Sequence, residues 1–193
     1  MLELKVIVGS TRPGRFSELL LPWLSTAVAK HDGFKLEILD LRDYQMPFFE
    51  AAVSPAYIEN ADYGNSEINR FAAKISDADA VIMITPEYNH GYSAILKNAI
   101  DSVYREWNNK PLGIVSYGSA GGARAVEQLR QVGIELQMAP IRNGVHVMAP
   151  WLLTDADGSL KEGVLDGYTA SLDAQLTQLH WWAVALKQAR QAK

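Results

Sequence analysis

The chain has 193 residues, no cysteine, and 18 basic against 22 acidic side chains, for a net charge of −4. Its length fits a single domain spanning 1–193, and a hydrophobic share of 48% is enough for an ordinary core. The lack of cysteine excludes disulfides, thiolate nucleophiles and cysteine-held metals, and the acidic balance gives no support to nucleic-acid or membrane-surface binding.

No segment approaches the roughly 20 apolar residues of a spanning helix. The start, Met1-Leu2-Glu3-Leu4-Lys5, lacks the basic and apolar regions of a signal peptide. The expectation is a soluble, cytoplasmic protein.

Leu4 to Val8 reads as the first strand, followed by a turn-rich loop from Gly9 to Ser17. A helix follows, with Leu20, Leu21, Leu24 and Val28 inward and Gly33 as its terminating glycine. Phe34 to Leu41 alternates as a second strand. Tyr44 to Gly64, with Pro47 and Pro55, is a long irregular stretch; such loops are usually functional or cover a partner. Ser66 is the N-cap candidate for a helix through Ile75. Ala80-Val81-Ile82-Met83-Ile84 is apolar without alternation, the mark of a strand buried on both faces, and Pro86 removes a donor and stops it.

The helix after this third strand runs from Ser93 to Trp107, with Ile95, Leu96, Ala99, Ile100 and Val103 on one face. Leu112 to Tyr117 is a fourth strand, Gly118-Ser119-Ala120-Gly121-Gly122 a glycine loop, and a helix starts near Ala123. Pro140 to Val147 is a fifth strand, and Val164 to about Gln191 a long last helix. Strict β-α alternation means a parallel sheet with helices on both faces, an α/β three-layer sandwich. Five strands favour the order 2-1-3-4-5, with ligands outside the strands' carboxyl ends.

Three loops leave that edge. The first offers the Ser10 and Ser17 hydroxyls, the Arg12 and Arg15 forks and the amides from Gly14 to Ser17 at a helix N-terminus, a combination suited to phosphate. Gly9 and Gly14 have P-loop spacing, but Arg15 and Phe16 follow where a triphosphatase needs Lys and a hydroxyl. The second loop, Pro86 to Gly91, carries Glu87, Tyr88, Asn89 and His90; the third runs from Ser116 to Gly122. Neither has the G-x-G-x-x-G fingerprint, so a nicotinamide cofactor would visit as a substrate. Each loop alone is also compatible with a plain turn.

Taken together, Gly9-Ser10-Thr11-Arg12, Pro86-Glu87-Tyr88-Asn89, Leu96-Lys97-Asn98-Ala99-Ile100-Asp101, Glu106-Trp107 and Tyr117-Gly118-Ser119-Ala120-Gly121-Gly122 resemble the NADPH-dependent FMN reductase family, which includes flavodoxin-like quinone, azo-dye and chromate reductases. The likeness runs from about Leu4 to Val147. It implies non-covalent FMN, with Ser10, Arg12, Ser17 and the amides near Phe16 on its phosphate. Pro86, Glu87, Tyr88 and Asn89 would line one edge of the ring system, and Ser116, Tyr117, Gly118, Ser119 and Gly121 the other. It also implies NADPH or NADH as co-substrate, a small-molecule electron acceptor, and a homodimer or homotetramer with the flavin near a subunit interface. Arg15 stands where some relatives carry a small residue, and the stretch after Val147, including Trp151, has no motif to carry over.

No catalytic side chain is nominated, because hydride transfer needs no obligatory acid or base and the flavin carries the chemistry. Glu87 reads as a structural carboxylate on nearby amides or as an acid–base group, and His90 as a substrate contact or an exposed loop residue. His31, His146 and His180 are dispersed without metal-ligand spacing. Two rivals stand beside the reductase: an electron carrier that does not turn over with NAD(P)H, and a binding module for another phosphorylated ligand.

Overall fold

The computed structural model describes residues 1–192. Its strands are β1 (Leu2–Val8), β2 (Phe34–Asp40), β3 (Ala80–Pro86), β4 (Pro111–Gly118), β5 (Ala139–Pro140) and β6 (Val145–Met148). The helices are α1 (Ser17–Lys30), α2 (Ser66–Ser76), α3 (Ala94–Asp101), α4 (Ala123–Glu135) and α5 (Asp166–Gln191). The sheet order is β2-β1-β3-β4-β5, every pairing is parallel, and β6 also pairs with β4. The expected order therefore holds, and so does the flavodoxin-like layering.

Every residue of β3 is buried, as an unalternating strand between two helix layers must be. One layer packs Leu20, Leu24, Leu172, Leu176 and Leu179 of α1 and α5 on the sheet. The other packs Phe71, Leu96, Ile100 and Leu129 of α2, α3 and α4, together with the wholly buried Trp107.

Four local expectations need correction. The fifth strand is two short pieces, because residues 141–144 leave the ladder between β5 and β6. The helix expected from Ser93 to Trp107 ends at Asp101, and Arg105–Trp107 is a separate 3-10 turn. Asn65, not Ser66, caps α2, accepting from the amides of Glu67 and Ile68. Gly33 does not terminate α1 in the left-handed region. It is a close approach instead: a Cβ there would lie 2.3 Å from the His180 ring.

The 44–64 stretch is fastened down. Asn98 donates to the Pro47 carbonyl at 2.8 Å and accepts from the Phe49 amide at 2.8 Å. The Tyr63 phenol donates to Glu106 at 2.7 Å, and burial, then that carboxylate, push its pKa up. The Leu96-to-Asp101 motif thus includes a residue that pins the long loop.

Candidate active site

The parallel register brings the carboxyl ends of β1, β3 and β4 to one edge, so loops one, two and three meet there. Loop one is joined to loop two: the Ser10 and Tyr88 hydroxyls are 2.9 Å apart, and the Arg12 guanidinium lies 5.5 Å from the Tyr88 ring centre. Ser93 caps α3 through the Leu96 amide and donates to the Gly9 carbonyl.

The carboxylate in the first turn of α1, Glu18, is paired with Arg15 and Arg42. Phe16 stands at the N-cap of that helix and provides no side-chain cap. Glu18 and Leu19 donate back to the carbonyls of Arg15 and Phe16. The Ser17 hydroxyl is fully buried without a hydrogen-bond partner, and so is the Tyr117 phenol. The two face one another closely enough that Ser17, and less so Ser10, oppose the rise that burial imposes on the Tyr117 pKa. Buried, unpaired donors at a helix N-terminus are costly unless an acceptor joins them. A phosphate fits that demand in charge and in number of oxygens.

Arg15 does not serve this purpose. Its side chain is buried, donates to Asp40 (Nη1 to Oδ1, 2.8 Å) and to the Ser10 carbonyl, and pairs with Glu18 at 3.3 Å. The hydrogen bond to Asp40 raises the Arg15 pKa. Burial pushes the Asp40 carboxyl up, but Arg15 and the Arg42 amide outweigh it and hold the group below its usual range. The expectation of two free guanidinium forks therefore gives way to one, Arg12, which is exposed.

Loop two turns tightly at Tyr88-Asn89-His90-Gly91, with φ of 50° at Asn89 and 68° at His90. Glu87 is the helix-capping carboxylate that one of its two readings described. It accepts from the Arg124 amide at 2.9 Å and from Arg124 Nε at 2.7 Å. Arg124 holds its pKa below the usual range. His90 is exposed, with Nε2 3.1 Å from the Arg124 guanidinium. In loop three the glycines serve the turn itself. Gly122 has φ of 77°, and a Cβ there would lie 2.7 Å from that of Ser116.

A cavity of about 490 Å³ opens between these loops. Of the residues singled out in the sequence, Arg12, Gly14, Arg15, Phe16, Pro86, Glu87, Tyr88, Tyr117, Gly118 and Ser119 line it, Arg15 with its guanidinium already taken up by Asp40. Ser10 and Ser17 lie buried behind it. Asn89, Ser116 and Gly121 are not on its wall. The Ser116 hydroxyl is taken up by the Gly121 carbonyl at 2.6 Å and by His146 Nδ1 at 2.8 Å. Leu19 of α1 adds to the wall, and the rest of it was missed: Pro150, Trp151, Thr154 and Gly158 come from the segment after β6. The only signals were the lone tryptophan and the Asp155-Ala156-Asp157-Gly158 turn.

The profile of the NADPH-dependent FMN reductase family matches residues 2–151. An NAD(P)H-dependent FMN reductase of Schizosaccharomyces pombe is 37% identical over 141 residues, covering 72% of this chain and 70% of that protein. An NADPH:quinone oxidoreductase of Arabidopsis thaliana is 32% identical, covering 69% and 76%. Among solved structures, the flavoenzyme NAD(P)H:(acceptor) oxidoreductase FerB of Paracoccus denitrificans superposes with a TM-score of 0.71 at 22% identity, covering 96% and 98% of the two chains, and that likeness supports the fold. With the motifs in order along the sheet edge, the chain belongs to the NADPH-dependent FMN reductase family and is an oxidoreductase.

Proposed function

We propose that this protein is an FMN-dependent NAD(P)H oxidoreductase that reduces quinones or similar small acceptors in a ping-pong cycle, donor and acceptor using one cavity in turn. The observation that carries the reading is the pair of buried, unpartnered hydroxyls beside the N-terminus of α1: Tyr117 belongs to the wall of the 490 Å³ cavity and Ser17 lies behind that wall. Bound FMN supplies hydride acceptance and release at its N5.

The residues divide the work. Ser10, Ser17 and the amides of Phe16 and Ser17 hold the phosphate, with Arg12 adding charge from the exposed side. Pro86, Glu87 and Tyr88 bound one edge of the ring system, Asn89 serves the tight turn that follows them, and Glu87 keeps that loop fixed to α4. Tyr117, Gly118 and Ser119 bound the other edge, while Ser116 and Gly121 brace the turn. Quinones and azo compounds are both supported as acceptors, by a quinone-reducing relative at 32% identity over 152 residues and an azo-reducing one at 33% over 125. Azo compounds, free flavin and metal oxyanions need the same access. A cytoplasmic location and a homo-oligomeric state belong to this reading.

The test is anaerobic visible absorbance of FMN-reconstituted protein before and after NADPH. Prompt bleaching of the oxidised-flavin band, with colour restored by a quinone, is the expected result. A protein that retains no FMN, or whose flavin neither NADPH nor NADH bleaches, overturns the proposal.

A further inference from the structure

Residues 149–161 form a braced hairpin against the cavity. Ala149 donates to the Gly118 carbonyl at 2.9 Å, which ties the segment to loop three. Its φ is 43°, a left-handed conformation held by a residue that is not glycine and that precedes a proline. Backbone outliers of this kind persist where the surrounding structure over-determines them. Here the bracing is dense: the Lys161 amide donates to the Leu153 carbonyl at 2.9 Å and its ammonium to the Leu152 carbonyl at 2.9 Å. Thr154 and Leu160 form an antiparallel bridge, and the Met148 amide donates to the Tyr168 hydroxyl of α5 at 3.2 Å. The product of this frame is Trp151, on the cavity wall with 61% of its surface exposed. An indole on a rigid backbone beside an open cavity contributes little to folding. It offers a flat apolar face at small ordering cost to a ligand.

We propose that Trp151 selects the oxidant: its indole is a stacking platform that favours flat aromatic acceptors over inorganic ones. This inference rests on the proposed reductase function. Ring stacking contributes to binding of a naphthoquinone and nothing to ferricyanide, which is octahedral and takes one electron per ion.

The experiment compares kcat/KM for menadione with kcat/KM for ferricyanide, using NADPH as donor, in FMN-loaded wild type, Trp151→Ala, Trp151→Phe and Trp181→Ala. Trp181 is the control, an equally exposed indole (64%) on α5 away from the cavity. FMN content and melting temperature are recorded for each protein. The expected result is a menadione-to-ferricyanide ratio lowered about fivefold to tenfold in Trp151→Ala, largely restored in Trp151→Phe and unaltered in Trp181→Ala. Without donor, menadione titrated into the oxidised holoprotein binds Trp151→Ala more weakly by a similar factor. An unchanged ratio, or equal losses for both acceptors, in variants that retain FMN overturns the role of Trp151 alone. A Trp151→Ala protein that sheds FMN also overturns it, in favour of a cofactor-holding role. A wild type that retains no FMN overturns the cavity reading and this inference together.

Discussion

Two arginines three residues apart in loop one have opposite fates. Arg12 lies exposed over Tyr88, whereas Arg15 is buried between Asp40 and the Ser10 carbonyl. Arg12→Ala is expected to weaken FMN affinity by about tenfold or more, the loss of one charge-assisted contact, with little change in melting temperature. Arg15→Ala strands a half-buried carboxylate and costs roughly 2–3 kcal/mol, or about 5–10 °C in the melting temperature of the FMN-free protein. Fluorescence titration and thermal melts read the two effects, and an exchange of the two phenotypes would show that the phosphate is held by the other arginine. The sequence presents both residues as equal forks. Only the β1–β2 register, which sets Val8 beside Asp40, separates them. Likewise Ser116 reads as a cavity hydroxyl until His146, 30 residues on, claims it.

At the scale of elements, the end of the sheet remote from the site holds a second charged group. Lys110, at the entry to β4, donates to the carbonyls of Ile75 and Ser76 that end α2. Asp79, at the entry to β3, accepts from the Glu3 amide at 3.0 Å, from Lys187 at 2.7 Å and from Arg190 at 3.1 Å, fastening the last turns of α5. Burial, then the charge of Arg190, push the Lys110 pKa down to about 7, against the pull of Asp79. Between that value and the unfolded 10.5 the unfolded chain holds a proton that the folded chain has released, so stability rises with pH across the window. Relative to Lys110→Met, wild type should gain on the order of 2 kcal/mol between pH 7 and pH 9, roughly 4–8 °C in melting temperature. A constant difference would mean that the two carbonyls keep the ammonium charged. Most elements were legible because burial on two faces writes unbroken apolar runs such as Val81 to Ile84, and burial on one writes helical stripes. The boundaries that failed depend on distant partners: the ladder of β4 decides where the fifth strand breaks, and His180 decides why residue 33 is glycine.

For the whole molecule, β-α alternation was sufficient to give the sheet order, because right-handed crossovers leave few alternatives. The wall around Trp151 was not legible, since its place beside loop three follows from the packing of the complete sheet. The same is true of the 44–64 stretch. It buries Tyr44 and Met46 yet leaves Phe48 81%, Tyr57 77% and Val53 53% exposed. It also flanks a groove of about 580 Å³ beside the ends of α3 and α4. Such a patch on a fastened loop is the surface that the proposed homo-oligomer would use. Light scattering at micromolar concentration should give at least twice the 21.3 kDa of one chain, and Phe48→Asp with Tyr57→Asp should return the monomer. A wild-type mass of 21.3 kDa would sink the expectation.

The order of strands also governs how the protein is made. β1, which precedes the other strands of the sheet in sequence, lies inside it, with β2 on one side and β3 on the other. It cannot be covered until residue 86 has been translated. Loop three and the Trp151 hairpin come later still, from residues 116–122 and 149–161, so every wall of the cavity is present only when four-fifths of the chain exists. Under the proposed function, a complete flavin cavity therefore forms only late in synthesis. On that reading, a chain cut short before residue 149 would hold the first loop without the wall that Trp151 supplies, and would be expected to retain flavin poorly.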